Sequence, residues 1–174
     1  MQPDMTATFD LAFWLTAAAI LLLLCISSFF SGSETALTAA SRSKLKAQAD
    51  RGNAAAQRVL DITDDNERMI GAILLGNNVV NILAASLATA LLTKLFGDSG
   101  VALATLGMTT LVLIFGEVMP KTLAITFPEP FALRVSPMIK LIILLFAPIV
   151  SVVRVLVRGV LSLFGVRADP DSHI

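Results

Sequence analysis

The sequence predicts an all-α membrane protein: three transmembrane helices, short cytoplasmic helices after the first of them, and a C-terminal juxtamembrane belt helix. Three observations lead there. Hydrophobic residues make up 56% of the 174, above the roughly 45–50% of a soluble domain. The excess comes in long blocks, the pattern of membrane spans. Between the first block and the second lies a polar, basic stretch, residues 41–68.

The first block, Phe9 to Phe30, meets the roughly 20 residues needed to cross hydrocarbon. It exceeds a signal-peptide core in length, and no Lys or Arg precedes it. Helical character is expected to run on to about Ala40. Residues 41–68, SRSKLKAQADRGNAAAQRVLDITDDNER, predict two short amphipathic helices, Lys44–Asp50 and Ala54–Ile62, broken at Gly52-Asn53. The second block is Met69 to Leu95, interrupted by Asn77, Asn78 and Asn81; Gly97-Asp98-Ser99-Gly100 then reads as a turn. A third block, Val101 to Phe127, precedes a connector punctuated by Pro128, Pro130 and Pro137.

The last apolar stretch, Met138 to Phe164, is long enough to span, but charge argues for a belt. Arg42, Lys44, Lys46, Arg51, Arg58 and Arg68 place the 41–68 loop in the cytoplasm by the positive-inside tendency. A fourth span would carry Arg154, Arg158 and Arg167 outside. A helix along the inner interface instead lets Lys140, Arg154 and Arg158 reach lipid headgroups. The expected topology is an N-terminus outside and a C-terminus in the cytoplasm. Residues 1–165 form the membrane domain, and 166–174 a polar tail, the start of a linker.

Composition also narrows the function. Formal net charge is zero, so nucleic acid is not an expected partner. Cys25 is the single cysteine and His173 the single histidine. Zinc catalysis and a Cys/His or Ser/His nucleophile pair are therefore not expected, nor is an enzyme.

Three polar clusters inside the apolar blocks need explaining, because polar groups in lipid are costly without partners. In SSFFSGSETAL, residues 27–37, Ser27 and Ser31 stack one helical turn apart and Glu34 falls near the same line. Gly32 permits close approach. Ser33 and Thr35 suit ordinary helix packing. In GNNVVN, residues 76–81, Asn77 and Asn81 share a face with Asn78 on its flank. Their carbonyl oxygens suit a hard cation. In IFGEVMPKTLA, residues 114–124, Pro120 has no N–H for the Gly116 carbonyl four residues back, which leaves that oxygen free beside Glu117. Lys121 lies one turn from Glu117, so an ion pair is the plain reading. The Gly and Pro alongside point further, to a cation site of carbonyl, carboxylate and amide oxygens. With no sulfur or imidazole offered, such a site favours Mg²⁺, Ca²⁺, Na⁺ or Mn²⁺.

FFSGSETAL, LLGNNVVNI and FGEVMPKTLA, in that order and spacing, resemble the transmembrane domain of CorC-type magnesium transporters, bacterial relatives of the animal cyclin M (CNNM) proteins. The match runs from about Ser27 to Ala124. The resemblance implies three spans and a juxtamembrane belt, a homodimer in the plasma (inner) membrane, and export of Mg²⁺ coupled to Na⁺. It implies Mg²⁺ ligands at Ser27, Ser31, Asn77, Asn81, Gly116 and Glu117. It also implies cytoplasmic CBS domains beyond Ile174, so that the chain holds the membrane portion of a longer protein. A non-transporting membrane anchor that senses Mg²⁺, and a Mg²⁺ channel, are the competing readings.

Overall fold

A computed structural model of the chain describes residues 10–166. The expected polar tail, 166–174, lies outside the described residues except for Val166, as do Arg167 and His173. Among the described residues every regular element is a helix.

Helix α1, Leu11–Ala39, starts at Asp10, whose carboxylate accepts the Phe13 N–H at 3.1 Å. The loop holds two helices, α2 (Arg42–Asp50) and α3 (Ala54–Asp64), capped by the side chains of Ser41 and Asn53. Gly52, with φ +92°, makes the break between them, a backbone angle that suits glycine. Helix α4, Asn66–Phe96, is capped by Asp65. It ends at Gly97, φ +63°, where the chain reverses into α5, Ser99–Leu111. Gly100 closes this hairpin: a Cβ there would fall on the backbone of Leu92 and Thr93.

The third span then departs from a regular helix. Val112–Val118 is π-helical, and the chain returns to α-helix in α6, Met119–Thr126. At the boundary, Met119 donates its N–H to the Ile114 carbonyl, five residues back. The sequence foresaw a local irregularity at Pro120 but not this wider turn.

Helix α7 runs from Pro128 to Leu163 as one helix through Pro137 and Pro148. The proline-punctuated connector expected at 128–137 is therefore its first part. Pro128 opens the helix, where a missing N–H costs nothing, and membrane helices tolerate interior proline because neighbours satisfy the freed carbonyls.

Four helical stretches, rather than the expected three, are long and apolar enough to cross a membrane: Leu11–Ala39, Asn66–Phe96, Ser99–Thr126 and Pro128–Leu163. Their outward faces carry Leu21, Leu22, Val79, Ile82, Leu106, Leu113 and Ile125, all exposed, as a lipid-facing surface requires. The chain is a multi-pass helical membrane protein.

The fourth stretch, α7, is tied to the 41–68 loop along most of its length. Glu129 Oε1 accepts the Ser41 N–H at 3.1 Å. Arg58 donates to Ser136 Oγ at 3.3 Å. Lys140, Ile143 and Leu144 border the same hollow as Asp61, Ile62, Asp65 and Arg68. Arg154 lies 3.3 Å from Asp65 and 3.4 Å from Glu67.

The interior has two apolar layers. One, at the loop end, joins Leu37, Leu45, Val59, Met69, Ile73 and Ile139; the other, at the opposite end, joins Ile20, Leu24, Ala84, Ala88, Ala104 and Met108. Ser27 and Ser31, Asn77 and Asn81, and Gly116 and Glu117 all fall between them along their helices.

Candidate cation site

The polar layer is built from three separate helices. Ser27 and Ser31 project from α1, and both are buried. Asn77 and Asn81 come from α4, where four-residue spacing stacks them on one face. Gly116 and Glu117 come from the π-helical segment. Such wide turns recur at functional sites, where they re-aim side chains.

The side chains close into one network. Ser27 Oγ donates to Asn77 Oδ1 at 3.0 Å. Asn81 Nδ2 donates to the same Oδ1 at 3.4 Å. Asn77 Nδ2 in turn donates to Glu117 Oε1 at 3.3 Å, and Ser31 Oγ donates to Glu117 Oε2, also at 3.3 Å. Gly116 is buried against Ser27, and a Cβ on it would come 3.1 Å from Ser27 Oγ. All six residues expected at the site are thus brought together. Asn81 Oδ1 is buried with no hydrogen-bond donor among the described residues, an unusual state for a buried carbonyl oxygen.

Other expectations fare differently. Lys121 Nζ is 3.2 Å from Glu117 Oε2, so the plain ion pair does form, and it forms within the same network. Asn78 is exposed and faces a cleft of about 970 Å³ between α4 and α7, away from Asn77. Glu34 is half-buried and stands outside the network. Gly32 permits the approach of the Phe131 ring, which a Cβ would meet at 2.8 Å. Met119 reaches Ile114, and Pro120, which follows it at the start of α6, has no N–H to offer the carbonyls of the π-helical segment.

Electrostatically the layer holds one carboxylate in the network, one ammonium at its edge, and neutral hydroxyl and amide oxygens. No group of three His, Cys, Asp or Glu residues gathers among the described residues. A single anion with carboxamide and hydroxyl oxygens suits a hard cation that keeps part of its water. Ser31 lies eight residues before the end of α1, about 12 Å at 1.5 Å per residue, which places the layer within the helix bundle and nearer the loop end.

Comparison with known proteins agrees on the family. Residues 18–174 match the cyclin M transmembrane N-terminal domain. The chain is 40% identical over 144 residues to the UPF0053 inner membrane protein YfjD of Escherichia coli, covering 83% of this chain and 34% of that protein. It is 30% identical over 162 residues to a UPF0053 protein of Haemophilus influenzae, covering 92% and 39%. A chloroplastic DUF21 domain-containing protein of Arabidopsis thaliana, At1g55930, is 32% identical over 153 residues, covering 87% and 23%. The chain therefore spans little more than a third of the first two relatives' length.

Proposed function

Because the chain belongs to the cyclin M transmembrane N-terminal domain family, we propose that it carries divalent cations, Mg²⁺ foremost, out across the plasma (inner) membrane against inward Na⁺. The observation that carries this reading is Asn81 Oδ1: a buried oxygen without a donor among the described residues, one hydrogen bond from Asn77, which itself bonds Glu117. Buried oxygens are normally satisfied, and a cation is the partner that this one, the Asn77 amide, the two serines and Glu117 suit together.

Mg²⁺ enters from the cytoplasmic side, between the basic 41–68 loop and α7. Ser27, Ser31, Asn77, Asn81 and Glu117 then replace part of its hydration shell, with a main-chain oxygen of the π-helical segment, that of Gly116, as a further ligand. The π-helical turn and Pro120 supply the flexible point at which the third span rearranges to release the ion outward. Each charge moved against 100 mV costs about 2.3 kcal/mol, which is why a coupling ion is required. The N-terminus is outside and the C-terminus cytoplasmic. The working unit is a homodimer, with CBS domains in the full-length protein.

The test is Mg²⁺ binding followed by thermal protection, together with Mg²⁺ flux from proteoliposomes with and without a Na⁺ gradient. Glu117→Ala and Asn81→Ala each abolish protection. Protection undiminished in both variants overturns the site, and flux indifferent to Na⁺ overturns the coupling.

A further inference from the structure

We propose that Lys121 is a tethered counterion that competes with the transported cation for Glu117 and so sets the affinity and the charge preference of the site. The inference rests on the cation-binding reading above.

Lys121 Nζ stands 3.2 Å from Glu117 Oε2. That oxygen also accepts the Ser31 hydroxyl, while Oε1 is held by Asn77 Nδ2. No other carboxylate hydrogen-bonds into the network among the described residues. A divalent cation seeking Glu117 therefore needs an oxygen that already faces an ammonium. Two positive charges sharing it repel strongly where water is scarce. Lys121 has to leave as the cation arrives.

Its placement lets it do so. The Lys121 side chain is 47% exposed against 28% for Glu117. The flexible four-carbon stem lets the ammonium swing off Glu117 toward the loop-side interface, and no second ion pair holds it among the described residues. Being covalently attached, Lys121 competes at an effective concentration that dilute ions do not match. A monovalent cation offers Glu117 no more charge than Lys121 does. A divalent one brings twice the charge, and gains the Asn and Ser oxygens as well. The lysine thus raises the threshold for monovalent ions more than for Mg²⁺.

The experiment compares the chain with Lys121→Met and Lys121→Arg in detergent, reading Mg²⁺ titrations by calorimetry and thermal unfolding in EDTA. Lys121→Met is expected to bind Mg²⁺ roughly tenfold more tightly, the factor that 1.4 kcal/mol represents. It is also expected to lose discrimination against Na⁺ in competition titrations, and to unfold at lower temperature in EDTA because Glu117 has lost its partner. Lys121→Arg keeps a cation beside Glu117 and stays within about twofold of the parent chain, since an ion pair survives. If the parent chain binds Mg²⁺ and Lys121→Met binds it equally or more weakly, the competing role is wrong while the cation site stands. If neither chain binds Mg²⁺, the site reading fails and takes this inference with it. A Lys121→Met chain that does not fold leaves Lys121→Gln as the arbiter: tighter Mg²⁺ binding with weaker discrimination against Na⁺ supports the role, and an unchanged profile in a chain that binds Mg²⁺ rejects it.

Discussion

Ser27 Oγ lies 3.0 Å from Asn77 Oδ1 and donates to it across the packing of α1 on α4. That bond orients the carboxamide. With Oδ1 turned toward Ser27, Asn77 Nδ2 faces Glu117 at 3.3 Å. A buried hydroxyl on one helix thereby determines what the next helix presents to the third.

Ser27→Ala tests this relay. The change leaves Asn77 Oδ1 with only the longer Asn81 contact, 3.4 Å, and frees the carboxamide to rotate. Stability falls by about 1 kcal/mol, the usual net worth of such a bond. Mg²⁺ affinity falls roughly tenfold, as when a group that orients a ligand is removed. Thermal unfolding and calorimetric titration read the two effects, and an unchanged Mg²⁺ affinity rejects the relay.

Gly116→Ala probes the same contact from the π-helical side. Its Cβ would stand 3.1 Å from Ser27 Oγ and 3.5 Å from a Val112 methyl. Overpacking of this kind costs about 1–3 kcal/mol, and here the pressure falls on the Ser27 hydroxyl. Gly107→Ala is the control: nothing lies within 4 Å of its Cβ, and alanine is favoured over glycine in a helix by up to about 1 kcal/mol. The pair is expected to move unfolding temperature in opposite directions, with Mg²⁺ binding lost only in the first.

Much of this arrangement was legible in the sequence. Ser27 with Ser31, and Asn77 with Asn81, each sit four apart, and a helix turns that spacing into a shared face. The loop helices were readable because Ser41, Gly52 and Asn53 carry local backbone preferences. The π-helical turn was not readable, because Val112–Val118 has no composition that separates it from an ordinary apolar helix; only packing on α1 sets its register. Asn78 escaped for a related reason. Residue identity marks it as polar, but the outward turn of that face depends on where α7 lies. The length of α7 was hidden by Pro130 and Pro137, which read as breaks in water and are absorbed in a membrane helix.

Glu129 tests how firmly α7 holds the loop. Its Oε1 accepts the Ser41 N–H at 3.1 Å, with Lys44 Nζ at 3.8 Å. Glu129→Ala leaves that partly buried N–H without its acceptor, at a cost of about 1–3 kcal/mol. Glu129→Gln keeps an acceptor and loses less than half as much. The damage is expected at the junction of α1 and α2, so limited proteolysis speeds up at Arg42 and Lys44 in the alanine variant while the spans stay protected.

The course of α7 decides the topology. Its length and apolarity fit a span, yet Glu129, Ser136 and Arg154 each bond a residue of the 41–68 loop. Bonds to one loop from residues 129 to 154 are what a helix along that side of the membrane makes, and that course is the prediction. Lys140 and Gly159 are both exposed and about 28 Å apart at 1.5 Å per residue, close to the roughly 30 Å of hydrocarbon. Cysteines placed singly at these positions, with Cys25 replaced by alanine, separate the two cases. A belt makes both react with an impermeant maleimide from the cytoplasmic face of inverted vesicles and neither from outside. Labelling of the two from opposite faces instead establishes a fourth crossing, and moves Arg154 and Arg158 away from the cytoplasmic loop.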